Sequence, residues 1–220
     1  MMRLAADMHI HTALSPCASP EMTPGAIVRE AARRGLAVIA VCDHNCAGNV
    51  RAVAEAAAGI PNGPVVIAGI EITTVEEVHV LGWFGGPGQA IAAAGELEVD
   101  AALLSAACQL TLTETVDLIH RHGGLAVAAH VDRRSFSVPG QLGFIPPDVP
   151  FDGLEISSAG AARGKAAGFE SLGLPLVSSS DCHYLDDMGS GFTMLEVEAP
   201  SFDEIGKALG MVEGRGYAIA

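Results

Sequence analysis

Six of the chain's eight histidines, His9, His11, His44, His79, His130 and His183, fall in or at the end of segments that read as strands. Carboxylates accompany them as Asp7, Asp43, Glu71 and Asp181. Imidazole and carboxylate donors with few thiolates suit Zn, Mn or Fe better than an iron–sulfur cluster. His9 and His11 are two residues apart, and the period of a strand puts both rings on one face, where they can share an ion. Asp181 and His183 repeat the spacing near the other end of the chain. Glu71 closes the run Val65 to Ile70, and its two oxygens can bridge adjacent cations. His130 ends the run LAVAAH. One strand-end histidine alone is usually a hydrogen-bonded structural residue; six with carboxylates read as a metal site. His120 and His122 are the contrast, since a helix C-terminus favours a cationic imidazole there for structural reasons. Asp7 reads as a group that orients a ligand imidazole. Asp43 is open to either role and is counted, with Arg133, among the candidate catalytic residues.

These side chains can meet only if the fold gathers strand ends, and the chain supplies an alternation that does so. Strand-like segments are Arg3 to His11, Leu36 to Cys42, Pro64 to Ile72, Val78 to Phe84, Leu125 to His130, Gly153 to Ser157, Leu176 to Ser180 and Phe192 to Val197. The run LAVIAVC is apolar throughout, as suits a strand buried on both faces. Helices are expected after the Thr23–Pro24 start signal, over Asn49 to Ala58, over Thr113 to His122 with Thr113 as cap, near Ala161 to Leu172 and over Phe202 to Val212. Pro87 to Leu112 is Ala-rich with weak caps, and Pro139 to Pro150 reads as a loop because Pro146, Pro147 and Pro150 oppose a regular element. In a barrel of parallel strands the C-terminal ends share one face, which is where such residues converge.

Composition agrees with an α/β protein forming one domain over residues 1–220: half the residues are hydrophobic but only 5% aromatic, so small aliphatic side chains must fill the core. Twelve basic against 26 acidic residues give a net charge of -14, which disfavours nonspecific attraction to nucleic acid or anionic membranes. Five cysteines without paired spacing fit a reducing compartment. No signal-like start or membrane-length apolar run is present, so a cytoplasmic location is expected.

Asp7-Met-His-Ile-His-Thr12, Cys42-Asp43-His44, Gly69-Ile-Glu71 followed by His79, Ala129-His130 and Ser180-Asp181-Cys182-His183 stand in an order that resembles the PHP (polymerase and histidinol phosphatase) domain. The resemblance implies a distorted (β/α)7 TIM-like barrel and two or three divalent metal ions. By the same resemblance, His9, His11, Glu71 and Asp181 would hold the first ion. Glu71 would bridge to a second held by His79 and His130, and His44 with His183 would hold a third. The family usually adds a His or Asp to the third site from the segment after the HxH motif. Here that segment is Ala13-Leu-Ser-Pro-Cys-Ala-Ser19, in which Cys17 is the one strong donor. Its thiolate can bind Zn, or Cys17 can be a small buried hydrophobe.

The reaction this implies is hydrolysis of a phosphate ester by a metal-activated hydroxide, with a small phosphorylated metabolite or nucleotide as substrate. Arg133, three residues past His130, is placed to reach a phosphate with its planar fork, or else is a surface residue beside Arg134. A 3'-5' exonuclease is the second reading, weighed against by the acidic charge. A metal-binding module without catalysis is the third. Nucleic acid is therefore not expected as a partner except as a nucleotide or short oligonucleotide substrate, and no membrane is expected.

Overall fold

In the computed structural model, which describes residues 1–220, each strand anticipated from the apolar runs forms within two residues of its expected limits. The strands are β1 (Met2–Ile10), β2 (Val38–Val41), β3 (Val65–Thr73), β4 (His79–Phe84), β5 (Leu125–Ala128), β6 (Gly153–Ser157), β7 (Leu176–Ser179), β8 (Thr193–Val197) and an additional β9 (Gly216–Ile219). They make one sheet in the order β7-β6-β5-β4-β3-β2-β1-β8-β9. The edges curl towards each other: Ile10 bridges Cys182 just past β7, and Ser178 of β7 donates its N–H to Thr193 Oγ1 of β8 at 2.9 Å. The result is a nearly closed, barrel-like sheet, as the distorted TIM-like expectation requires.

The strands are not all parallel. β1, β2 and β3 run together, as do β5, β6 and β7, but β4 opposes both its neighbours. The β3–β4 connection is a tight hairpin, with Thr74 N–H bonded to Val78 O at 3.0 Å. His79 therefore reaches the C-terminal mouth of the parallel strands from the first residue of its own strand. β1 carries one extra residue relative to β2 between Asp7 and Ile10, a bulge that re-aims the side chains at its end. The buried indole of Trp83 donates to Met8 O at 3.0 Å inside this irregular stretch.

Alternation along the strands sorts the apolar residues into two layers. Met8, Ala40, Cys42, Leu81, Trp83, Val127 and Val177 share an interior cluster that α7 (Phe202–Leu209) completes with Ile205, Ala208 and Leu209. Ile39, Val41, Ile70, Ile72 and Val80 instead join a larger cluster with the outer helices α1 (Pro24–Arg33), α2 (Val50–Ala58), α3 (Pro87–Ala94) and α4 (Leu112–Arg121). One glycine marks how tightly the barrel is drawn. A Cβ on Gly69 would sit 2.6 Å from Cys42 Sγ and 2.8 Å from Val41 O. Because one of these contacts is backbone, Gly69→Ala is expected to lower stability by roughly 1–3 kcal/mol, the usual cost of overpacking. Denaturant unfolding checks it; wild-type stability would mean that β2 and β3 separate easily.

Several helix expectations need correction. α4 is capped by Thr111, not Thr113, because Thr111 and Glu114 form a reciprocal capping box two residues earlier. The expected helix over Ala161 to Leu172 is only α6 (Ser158–Ala162) followed by two 3-10 turns, since Gly164 and Gly173 adopt φ near +70° and break the helical path. The stretch read as a loop from Pro139 contains all but the first residue of a short helix, α5 (Val138–Leu142), in which Pro139 occupies a first-turn position where its missing N–H is harmless. The Ala-rich stretch does supply α3.

Near the C-terminus Glu204 accepts two bonds from the Arg215 guanidinium at 3.0 Å each and one from Glu198 N–H at 2.7 Å. Arg215 foremost holds the Glu204 carboxyl down at about 2, against an ordinary value of 4.5. A depressed folded-state value stabilises the fold above pH 4.5, and that contribution disappears as pH falls towards 2. Glu204→Gln is expected to flatten the acid limb of a plot of thermal midpoint against pH in that window; an unchanged limb would refute the linkage. No helix is long and apolar enough to cross a membrane.

Candidate metal centre

Of the residues named from the sequence, His9, His11, His44, Glu71, His79, His130, Asp181 and His183 converge on the mouth of the barrel. Glu71, at 1% exposure, is the hub. Its Oε1 lies 2.7 Å from His79 Nδ1, 3.3 Å from His130 Nε2 and 3.5 Å from His9 Nε2. Its Oε2 lies 2.9 Å from His44 Nδ1 and 3.3 Å from His11 Nε2. Asp181 Oδ1 is 3.3 Å from His9 Nε2 and 3.1 Å from His11 Nε2, which are 3.1 Å from each other. Three groups of donors are close enough to hold ions: His9, His11 and Glu71; His44, Glu71 and His79; and His11, His44 and His183.

Hydrogen bonds from behind fix how the rings present themselves. Glu155 takes the Nδ1–H of His9 with both oxygens, each at 3.1 Å, and also accepts from His130 N–H at 3.0 Å. Ser15 Oγ accepts from His11 Nδ1 at 2.8 Å and donates to Asp43 Oδ1 at 2.7 Å. In both rings the proton is held at Nδ1, which turns Nε2 towards the carboxylates as a donor to a cation. His183 Nδ1–H bonds to Asp181 O at 2.9 Å, leaving its Nε2 free in the same way.

The donor set fits a cluster of divalent ions. His44 Nδ1 and Glu71 Oε2 are buried and 2.9 Å apart, yet neither has a hydrogen-bond partner; His130 Nδ1 is likewise buried and unpartnered. Three buried carboxylates, Glu71, Asp181 and Glu155, need counter-charge. Protons alone supply part of it. Burial pushes the His9 imidazole down, but Glu155, Asp181 and Glu71 outweigh this and hold it well above its ordinary value. Burial raises Glu71, and His79, His9 and His44 more than reverse it. Cations would take over this role and release protons.

Asp43 is not at the open mouth. Its oxygens accept from Thr12 N, Thr12 Oγ1 and Ser15 Oγ, all at 2.7 Å, so it pins the loop that carries Ser15. Asp7 does not orient an imidazole as expected; it takes Ser180 N–H at 3.0 Å and Gly189 N–H at 2.8 Å, fixing the turn that presents Asp181. Burial pushes its carboxyl up to about 6 in spite of those bonds. Cys17 is exposed, which overturns the buried-hydrophobe alternative, and its Sγ is 3.3 Å from His44 Nε2. Arg133 Nη1 donates to Asp181 Oδ2 at 2.6 Å from the rim. His120 and His122 lie away from the cluster, bonded to Asp152 and Glu96.

The mouth opens to a cavity of about 200 Å³ lined by Glu71, Arg133, Asp181 and four of the histidines, with Phe136 stacked on His79 at 4.8 Å. His130, Phe136 and Asp181 all have positive φ, a conformation that costs a non-glycine residue energy and concentrates at functional sites. Sequence reasoning missed Glu155 and Ser15. The signal for Glu155 was present: a carboxylate set between apolar residues in Gly-Leu-Glu-Ile-Ser, where a strand buried on both faces tolerates none without a partner.

Comparison with known proteins agrees with the motif resemblance. A PHP-associated family model matches residues 165–211. No protein of curated function matches the chain. Among solved structures, the lesion-specific endonuclease Q from Pyrococcus furiosus superposes with a TM-score of 0.76 at 23% identity, over 98% of this chain and 58% of its own. Endonuclease Q bound to a 27-mer duplex with an abasic lesion at the active site gives 0.77 over the same shares, also at 23% identity. The chain thus spans little more than half of these two. A protein from Bifidobacterium adolescentis proposed to be a metal-dependent phosphoesterase gives 0.60 at 18% identity, over 81% of this chain and 87% of its own. An amidohydrolase from Chromobacterium violaceum with bound sulfate gives 0.62 at 20% identity, over 84% and 89%. All three proteins are hydrolases by description, and at these identities the likeness is one of fold. One expectation is overturned. Net charge argued against nucleic acid as a partner, but a neighbour matching nearly all of this chain was solved on duplex DNA.

Proposed function

We propose that the chain is a metal-dependent phosphoesterase. The observation that carries the reading is Glu71, buried at the open end of the barrel with five imidazoles 2.7–3.5 Å from its oxygens. His9, His11, Glu71 and Asp181 would hold one ion, Glu71, His79 and His130 a second, and His44, His183 and Cys17 a third. Zn, Mn or Fe ions bound there supply Lewis acidity, which makes hydroxide available near neutral pH and neutralises phosphate oxygens. Glu155 and the Ser15–Asp43 pair keep the His9 and His11 tautomers fixed. Arg133 does two things: it steadies Asp181 and offers its remaining N–H groups to a phosphate oxygen at the rim. Phe136 walls the mouth beside His79.

The substrate is a phosphate ester, and a phosphorylated metabolite or nucleotide suits a mouth of about 200 Å³. A phosphodiester within a nucleic-acid strand is the second reading, favoured by the likeness to endonuclease Q. Elemental analysis of purified protein, followed by turnover of p-nitrophenyl phosphate and of an oligonucleotide with Mn or Zn restored after chelation, tests the proposal. Metal-dependent turnover of either supports it; a loaded protein that turns over neither, nor any member of a phosphate-ester panel, is a metal-binding module instead.

Cys17 gives a more specific expectation. Cys17→Ser should remove about one equivalent of metal while the ions at Glu71 remain, and metal should protect the wild-type thiol from alkylation until a chelator strips it. Full occupancy in Cys17→Ala would exclude the thiol as a ligand.

A further inference from the structure

The chain's net charge of -14 conceals a local reversal. Four of its 12 basic residues, Arg133, Arg134, Arg163 and Lys165, line two overlapping depressions of about 550 and 390 Å³ beside the mouth. Asp132 is their one carboxylate, and it is already engaged by Ser157 N–H at 2.8 Å and Ser157 Oγ at 2.9 Å. Lys165 bonds to Asp132 O at 3.2 Å and pairs with Asp132 Oδ2 at 3.5 Å, but Arg134 and Arg163 pair with no carboxylate. Unpaired guanidinium groups collected in one concavity of an acidic protein suit an anion.

The depression adjoins the mouth, because Arg133 and Ser135 line both. Phosphate is the anion that this arrangement fits: the guanidinium fork matches its oxygens, and the hydroxyls of the exposed Ser135 and the half-buried Ser158 can add bonds. We propose that Arg134, Arg163 and Lys165 form a second phosphate subsite, so that the substrate carries another phosphate next to the one at the mouth. This rests on the phosphoesterase reading and narrows its substrate class. The second phosphate belongs either to the next linkage of a polynucleotide strand or to a free bisphosphorylated compound.

Equilibrium calorimetry on the Mn-loaded protein separates these cases with ligands that resist hydrolysis. The probes are the methylenephosphonate analogues of thymidine 5'-monophosphate and thymidine 3',5'-bisphosphate, and phosphorothioate (dT)12. The bisphosphonate or the strand should bind at least tenfold more tightly than the monophosphonate, and Arg134→Ala/Arg163→Ala should cut that advantage to under twofold. A strand that exceeds both small ligands identifies nucleic acid; a bisphosphonate that equals or exceeds the strand identifies a free bisphosphate. The proposal is overturned if wild type shows no advantage, or if the advantage survives in the double variant. Should the advantage hold while the loaded protein hydrolyses none of the parent esters, the subsite stands and the reading of the mouth fails.

Discussion

Glu71→Gln is expected to lose bound metal and to reduce turnover by a factor on the order of 10²–10³ or more, the scale of removing one preorganised electrostatic group. The side chain keeps its size, so β3 and its hairpin with β4 have no steric reason to shift. What goes is charge. Glu71 faces His9, His11, His44, His79 and His130, and it belongs to two of the three donor groups close enough to hold an ion. An amide offers one acceptor oxygen and a donor NH₂, which would point at an imidazole lone pair or a cation. Elemental analysis and circular dichroism on the same sample check this: metal lost with the fold retained is the expected pair of results. A variant that keeps full metal content and activity would show that Glu71 bridges nothing.

Glu155→Ala should weaken metal binding by roughly 10–100-fold, as for other carboxylates that sit behind a ligand histidine. Glu155 touches no position where an ion would bind; it acts through His9, whose Nδ1–H it holds, and through the backbone N–H of His130. Without it, His9 is free to move its proton to Nε2, which removes the donor from the first ion, and the His130 N–H is left buried and unpaired. Glu155→Gln keeps an acceptor oxygen for His9 and should recover part of the affinity. Chelator competition measures the series. Equal affinity in all three proteins would reduce Glu155 to packing, whereas loss in Glu155→Ala with partial rescue by Gln is the signature of positioning.

Much of the fold was legible because its strands are apolar and short. LAVIAVC has no competing reading, and Val38–Val41 is buried throughout. Helices were less legible where glycine and proline act by position: the same residue type that ends α1 at Gly35 also breaks the segment after Ala162, and nothing local distinguishes the two. The reversal of β4 was equally hidden, since a strand's direction leaves no trace in its alternation. It matters for the site, because His79 reaches the mouth only from the start of an antiparallel strand.

Residue type and spacing by themselves determined the candidate metal donors: His9 and His11 must share a face of one strand, and Glu71, His130 and Asp181 stand at the ends of others. That information is local, carried by periodicities of a few residues. Tertiary structure alone decided which groups support those ligands and what surrounds them. Glu155 meets His9 across 146 positions of sequence. Arg163 and Lys165 join Arg133 and Arg134 in one concavity only because the segment after β6 packs beside the loop after β5. Net charge is a sum over the chain, whereas a ligand responds to the field at one place, and an acidic total therefore said nothing about the basic ground beside the mouth.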